Sequence, residues 1–160
     1  MEKKMDENRR SLGPELMEQY AELIGEGLTL PLGVTGSSMT PFLVHGRDIV
    51  QLSAVTRPLR RGDIVLYRRA NGAYILHRIW RAEADGYTMV GDGQRVLEPG
   101  IRREQIIAVV TSCVRKGRTE RPGTFWWDFF EKFWIRAVPL RGAFRGIYGL
   151  YEKIKRRLAE

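Results

Sequence analysis

The spacing of hydrophobic positions changes twice along the 160-residue chain. The first pattern lies in residues 14–27, where apolar side chains recur three or four positions apart: Leu16, Tyr20, Leu23 and Ile24. This spacing predicts a short amphipathic helix. Pro14 suits its first turn, and Gly25 and Gly27 mark its end.

From about residue 28 to residue 114, short apolar runs alternate with turn residues. Asn71-Gly72 is the strongest turn signal, because this dipeptide is typical of turns that close a β-hairpin, and Asp85-Gly86 is a second. The runs predict five strands, at 49–52, 63–69, 73–81, 87–90 and 105–114. We therefore expect a mainly β fold: a compact β core with an N-terminal helix and C-terminal amphipathic helices.

The pattern changes again after Gly117. Residues 118–123 are polar and resemble a linker, and residues 125–134 then contain seven aromatic side chains. A helical apolar stripe follows, with basic residues on both sides: Leu140, Phe144, Ile147, Tyr151, Ile154 and Leu158. We interpret the chain as a charged N-terminal segment and helix (1–27), a catalytic-sized β domain (28–117) and aromatic, basic C-terminal helices (118–160).

Composition places the chain among globular proteins, with 43% hydrophobic and 29% charged residues. The length suits one domain with a real core. A single cysteine, Cys113, excludes an intramolecular disulfide. The spacing of His45, His77 and Cys113 fits no common metal-ligand pattern, so we expect neither a metal nor another cofactor.

The net charge of +8 lies mostly in the C-terminal region, where residues 114–160 hold 12 Lys/Arg and 5 Asp/Glu, a balance of +7. Basic residues beside an aromatic-rich amphipathic helix suit an anionic membrane surface, with a partner helix as the alternative. We expect 125–158 to provide that contact. Nucleic acid explains the pattern less well, because the cations border an apolar stripe and not a polar groove.

The N-terminal ten residues are charged, and no apolar run of signal-peptide or membrane-spanning length follows them. The sequence therefore predicts a location in the cytoplasm or at the cytoplasmic face of a membrane.

The candidate chemistry centres on Ser38, which lies in the turn-like segment TGSSMTP at 35–41. A serine hydroxyl needs a neighbouring base to act as a nucleophile near neutral pH. No lysine occurs between Lys4 and Lys116, which argues against a Ser–Lys dyad. His77, in the predicted strand 73–81, can serve instead because imidazole titrates near neutrality. Taken singly, Ser38 could be a simple turn residue and His77 a structural core residue.

Five segments of residues 34–114 carry a family resemblance together. They are GSSMTPFL at 36–43, GRDIV at 46–50, RGDIVLY at 61–67, LHRI at 76–79 and VGDGQ at 90–94. With these five segments in this order, the chain resembles the type I signal peptidase superfamily. Its histidine is similar to that of the Ser/His branch found in the endoplasmic reticulum, archaea and some Gram-positive bacteria.

The resemblance implies that Ser38 is the nucleophile and His77 the general base. It also implies an acid that orients the imidazole. We expect Glu98 to have this role and Asp92 to be structural, with the reverse assignment left open. Gly36 stands where some members have a hydroxyl donor, which leaves the backbone at Ser38 and Ser37 for the oxyanion. We expect the substrate or the oxyanion to be bound by Ser37, Met39 and Pro41.

These observations predict a serine endopeptidase that cleaves an extended leader or signal-type peptide by Ser/His catalysis. The resemblance also permits a non-catalytic module that binds or scaffolds peptides on the same fold. A third reading is a self-cleaving regulator of the SOS-repressor type, but that group relies on lysine. The lysine-free core therefore argues against it.

Overall fold

Eight antiparallel strands form one sheet in the computed structural model, which describes residues 13–141. The prediction of a mainly β fold is confirmed. The strands lie in the order β1-β2-β7-β3-β4-β5-β6, and β8 pairs with β7 beside this path. Their bounds are β1 Leu30–Gly33, β2 Ile49–Ser53, β3 Ile64–Arg68, β4 Tyr74–Glu83, β5 Gly86–Val90, β6 Glu98–Ile101, β7 Ile106–Arg115 and β8 Arg118–Glu120.

Helical segments lie before and after the strands. Helix α1 spans Pro14–Gly25, close to its predicted bounds, and buries Met17 and Ile24. The chain after β8 forms helix α2, Phe125–Asp128, which continues directly as a π-helical turn, Phe129–Trp134. Two 3-10 turns, Arg103–Gln105 and Val138–Leu140, complete the described elements. No helix within residues 13–141 is both long enough and apolar enough to cross a membrane.

The β3–β4 hairpin turns at Asn71-Gly72, as predicted, and its loop consists of residues 70–72, because Arg69 pairs with Ala73. Gly72 has a φ of 86°, a left-handed conformation that glycine adopts without steric cost. The Asn71 side chain accepts a hydrogen bond from the Ala73 N–H at 3.1 Å. This short turn sets the register of the two strands, so that Val65 lies opposite His77.

Three strands had no clear signal in the sequence. β1 and β6 are short strands at the two ends of the sheet order, and each contains a proline or a glycine, residues that are depleted in strands. β8 lies within residues 118–123, which we had predicted to be a linker. That prediction is wrong for Arg118–Glu120, because these residues pair with Cys113–Arg115 of β7.

The aromatic segment 125–134 divides between the core and the surface. Trp127 and Phe130 are buried, and the Phe130 ring lies 4.8 Å from that of Phe42. Phe125 and Phe133 are instead 73% and 68% exposed. One side of this segment is therefore part of the main hydrophobic core. The apolar stripe predicted for 144–158 lies outside the described residues.

Candidate active site

His77 lies in the middle of β4 and is only 3% exposed. Because the hairpin register places it opposite Val65, Tyr67 of β3 lies diagonally across from it on the same face of the sheet. The Tyr67 hydroxyl oxygen is 3.2 Å from the Nδ1 atom of His77. The β3–β4 hairpin alone therefore brings the imidazole and the phenol together.

Ser38 lies in a turn between β1 and β2. The Thr40 N–H donates to the Ser37 carbonyl at 3.1 Å, which closes the turn around Ser38. Met39, Phe42 and Leu43 follow and are buried, so the turn is held to the core at one end. Ser38 itself remains partly exposed.

The loop after β5 packs tightly against this turn. The Gly93 N–H donates to the Ser38 carbonyl at 2.8 Å. A Cβ atom at Gly91 would lie 2.4 Å from that same carbonyl oxygen, and one at Gly93 would lie 2.5 Å from the Thr40 carbonyl oxygen. Only glycine permits this approach at both positions. The loop therefore supports the turn directly behind Ser38.

Ser38 and His77 line one cavity of about 390 Å³. Its walls come from the end of β1 with the following turn, from β3 and β4, and from Met17 of α1. Among residues 13–141, no hydrogen bond joins the Ser38 hydroxyl to the imidazole. Catalytic hydrogen bonds are often long in a protein without substrate and shorten in the complex.

Hydrogen bonding on the other side of the ring determines which nitrogen can act as a base. The Tyr67 hydroxyl donates its single proton to Glu98 Oε2 at 2.7 Å. Its oxygen can then only accept from His77, so Nδ1 must carry the proton of the neutral ring. This leaves the lone pair on Nε2, which forms no hydrogen bond within the described part of the chain.

Glu98 is held by Arg69 through two hydrogen bonds of 2.6 and 2.7 Å. The Arg69 guanidinium keeps the pKa of this carboxyl below its usual value. The carboxylate lies 4.0 Å from His77 Nδ1, beyond direct hydrogen bonding. Burial, followed by the bond to Glu98, raises the pKa of Tyr67. Tyr67 therefore stays protonated and connects the imidazole to Glu98.

Asp92 lies in a different environment. It is fully buried and forms a bidentate ion pair with Arg78, with both N–O distances 2.9 Å. Arg78 is also fully buried and donates to the Gly62 carbonyl. Of the two acids considered from the sequence, the structure places Glu98 toward Nδ1 of His77 and commits Asp92 to Arg78.

Burial lowers the pKa of His77 to about 4, and the nearby Glu98 and Asp92 charges offset only part of this effect. The imidazole is therefore neutral at neutral pH. Because the folded-state pKa is below the value of about 6.5 for free histidine, the unfolded chain binds the proton more readily. His77 therefore reduces the stability of the fold progressively as the pH falls from about 6.5 toward 4.

The other predicted site residues divide into two groups. Ser37 and Met39 line the cavity, whereas Pro41 is exposed and lies outside its lining. His45 accepts a hydrogen bond from the Gly36 N–H at 3.1 Å and so helps to order the loop before Ser38. Burial raises the pKa of the Cys113 thiol to about 12. Within residues 13–141, no group of three or more His, Cys, Asp and Glu side chains could hold a metal ion.

Sequence reasoning did not identify Tyr67, Arg69 or Gln94 as site residues. Gln94 lines the cavity beside Ser38. The Asn71-Gly72 turn located the hairpin but not its register: residues 67 and 77 share a face because the loop has three residues and Arg69 pairs with Ala73. The link between Arg69 and Glu98 had no comparable signal, because it depends on the position of β6.

No protein-family model, curated protein or solved structure matches this chain.

The two acids are predicted to differ in their effect on stability. Asp92→Asn should lower the free energy of unfolding by about 3–5 kcal/mol, because it leaves the buried Arg78 charge without its partner. Glu98→Gln should cost about 1 kcal/mol, because the amide still accepts from Tyr67 and the site is partly exposed. Urea denaturation at pH 7.5 measures both values. Similar losses for the two variants would contradict these assignments.

Proposed function

We propose that the chain is a serine endopeptidase of the type I signal peptidase class, with Ser38 as nucleophile and His77 as general base. The observation that carries the proposal is the shared cavity of Ser38 and His77, together with an imidazole whose Nδ1 side is occupied by Tyr67. The five sequence segments that resemble this family support the same conclusion.

In the proposed reaction, the Ser38 oxygen attacks the carbonyl carbon of the scissile peptide bond and its proton moves to His77 Nε2. The tetrahedral intermediate collapses, the protonated imidazole gives its proton to the leaving amine, and an ester to Ser38 remains. Water then attacks the ester with the same base and releases the peptide acid. The Ser38 N–H forms no backbone hydrogen bond within residues 13–141, so it can donate to the oxyanion.

Tyr67 and Glu98 assist the base without touching the substrate. While His77 holds the transferred proton, the Glu98 carboxylate at 4.0 Å stabilises the imidazolium. Tyr67 keeps Nδ1 protonated and so presents Nε2 to Ser38. This arrangement performs the task of the acid in a catalytic triad, with a phenol placed between the acid and the base.

The cavity suits an extended peptide because two backbone edges border it. β5 pairs with β4 only as far as Arg78, so residues 74–77 have no β5 partner on that side. Across the cavity, the Val34 N–H donates to the Asp48 carbonyl, next to the β1–β2 ladder. Because hydrogen-bonded and free residues alternate along an antiparallel strand, the N–H and C=O of Gly33 point away from β2. A substrate strand could hydrogen-bond to these edges by β-augmentation. We propose a leader-type peptide as the substrate.

Part of the aromatic segment supports a location at a membrane surface. Phe125, Phe129 and Phe133 form a ladder of rings with centroid spacings of 6.4 Å, and Trp126 lies beside it. We define these four residues as the aromatic face. The Arg115 guanidinium lies 5.3 Å from the Trp126 ring, and Lys132 and Arg136 are exposed nearby. Phe125, Trp126 and Phe133 are exposed, whereas Phe129 is half-buried and packs against the core. Exposed aromatic rings beside cations suit the interface of an anionic bilayer.

The nucleophile is tested by Ser38→Ala. Cleavage of a mixture of unstructured leader-type peptides, followed by mass spectrometry, should slow by about a thousandfold or more. A fluorophosphonate should label the wild type and fail to label the variant. Ser37→Ala supplies a matched control, since it removes a neighbouring hydroxyl and leaves Ser38 to be labelled. Peptide binding without labelling or cleavage would favour the non-catalytic binding module.

The base is tested by the pH dependence of kcat/KM. His77 must be neutral to accept a proton, so activity should stay level from neutral pH down to about pH 5 and fall with a midpoint near 4. Glu98→Gln removes a negative charge that favours the imidazolium, so the midpoint should move to lower pH while the rate falls. An acidic limb centred near 6.5 would contradict the buried, neutral base.

The membrane surface is tested by co-sedimentation with vesicles. The full chain should bind vesicles that contain anionic lipid and should bind less as salt is added. Phe125→Ser with Phe133→Ser should weaken binding by more than tenfold, because each buried aromatic ring contributes about 1.5–3 kcal/mol.

Val96→Ser is the matched control, since Val96 is 81% exposed and lines a cavity that contains no residue of the aromatic face. It should leave vesicle binding unchanged. If the wild type ignores anionic vesicles at low salt, the membrane proposal is wrong and a partner helix becomes the better explanation for the aromatic face.

A further inference from the structure

The loop Gly91–Gln94 lies between the Ser38 turn and the C-terminal segment. On one side, Gly93 donates to the Ser38 carbonyl, and Gly91 is in close contact with that same carbonyl. On the other side, three backbone carbonyls of the loop accept hydrogen bonds from residues more than 40 positions further along the chain. The loop therefore couples the position of the Ser38 turn to the position of the C-terminal segment.

Two side chains make these contacts. Trp134 Nε1 donates to the Asp92 carbonyl at 2.8 Å. The Arg141 Nη1 atom donates to the carbonyls of both Gly91 and Gln94 at 2.8 Å, and Nη2 donates to the Trp134 carbonyl at 3.1 Å. The guanidinium carbon also lies 5.0 Å from the centre of the Trp134 ring. Trp134 and Arg141 thus form one connected unit against the loop.

The chemistry of this unit is unusual for a purely structural contact. Arg141 is 5% exposed, and all its hydrogen bonds in the described structure go to backbone carbonyls and none to a carboxylate. Burying a guanidinium is costly unless it has well-placed partners. If the contact served stability alone, apolar side chains would provide it with a smaller desolvation penalty. The planar guanidinium of Arg141, in contrast, has donors in a rigid fork and so fixes the loop backbone in one conformation.

We propose that Trp134 and Arg141 are positioning residues that hold the Ser38 turn, through the Gly91–Gln94 loop, at the cavity that Ser38 shares with His77. They act through backbone carbonyls and touch neither the substrate nor the reacting atoms. The inference rests on the proposed function, because a position for Ser38 matters only if Ser38 reacts. It assigns a positioning role to residues that lie outside every segment of the family resemblance.

The experiment compares Trp134→Phe and Arg141→Lys in the full chain. Trp134→Phe keeps an aromatic ring and loses the N–H donor. Arg141→Lys keeps the positive charge and loses the guanidinium, whose two terminal nitrogens both donate hydrogen bonds. In each variant, kcat for peptide cleavage should fall by about tenfold to a hundredfold, since a displacement near 1 Å has an effect of that size. KM should stay within about twofold, and the acidic midpoint of His77 should not move, because neither residue contacts the imidazole.

A second readout does not depend on activity. The Gly93 amide donates to the Ser38 carbonyl, so its hydrogen exchange should accelerate in both variants as the loop loosens. Arg118→Lys is the matched control, because Arg118 is exposed in β8 and its side chain forms no hydrogen bond within residues 13–141. It should change neither kcat nor the exchange rate of Gly93.

The outcomes separate the two proposals. If the wild type shows no labelling of Ser38, the proposed function fails, and Gly93 exchange still decides whether the loop is held as described. If Ser38 is reactive and both variants keep wild-type kcat and Gly93 exchange, the positioning role is overturned. If both variants lose cooperative unfolding, Trp134 and Arg141 are needed for folding in general, and the proposal is likewise wrong.

Discussion

The buried ion pair between Arg78 and Asp92 is the interaction on which the candidate site depends. Arg78 follows His77 directly in β4, and Asp92 lies in the loop that supports the Ser38 turn. Two charges removed from water are stable only when each keeps its partner in good geometry. Since both side chains are fully buried and joined by two hydrogen bonds, this pair fixes the distance between the strand that carries His77 and the loop behind Ser38.

Charge around His77 is divided between two separate carboxylates. Asp92 is neutralised by Arg78, and Glu98 is neutralised by Arg69, so neither acts as a free anion beside the imidazole. Direct contact with a carboxylate would raise the pKa of the imidazole and favour its charged form near neutral pH. Tyr67 stands between His77 and Glu98 and fixes the tautomer, so that the Glu98 charge acts on the imidazole only from 4.0 Å. Burial outweighs this charge and keeps the imidazole neutral at neutral pH.

The C-terminal segment serves the core and the surface with different residues. Phe130 and Trp127 pack on Phe42, which belongs to the same segment of chain as Ser38. Phe125 and Phe133 lie on the opposite, exposed side. Removing the whole segment would therefore disturb the core and the proposed membrane contact together. Point substitutions on the exposed side separate the two effects, because they leave the packing of Phe42 intact.

Local sequence patterns predicted the features that depend on neighbouring residues along the chain. Helical spacing identified α1, and Asn71-Gly72 identified the β3–β4 hairpin, because turn chemistry and hydrophobic period are local properties. Short edge strands such as β6 were missed, since their pairing stabilises them more than their own composition does. The sequence also named Ser38, His77, Glu98 and Asp92 as candidates.

The surroundings of those residues follow from the three-dimensional fold. It placed Ser38 and His77 at one cavity, put Tyr67 between His77 and Glu98, and gave Asp92 to Arg78. These contacts join residues 10 to 39 positions apart, and the partners are common residue types with no local pattern. Their identity follows from the order of strands in the sheet and from the burial of charge, which requires a partner wherever the fold removes water.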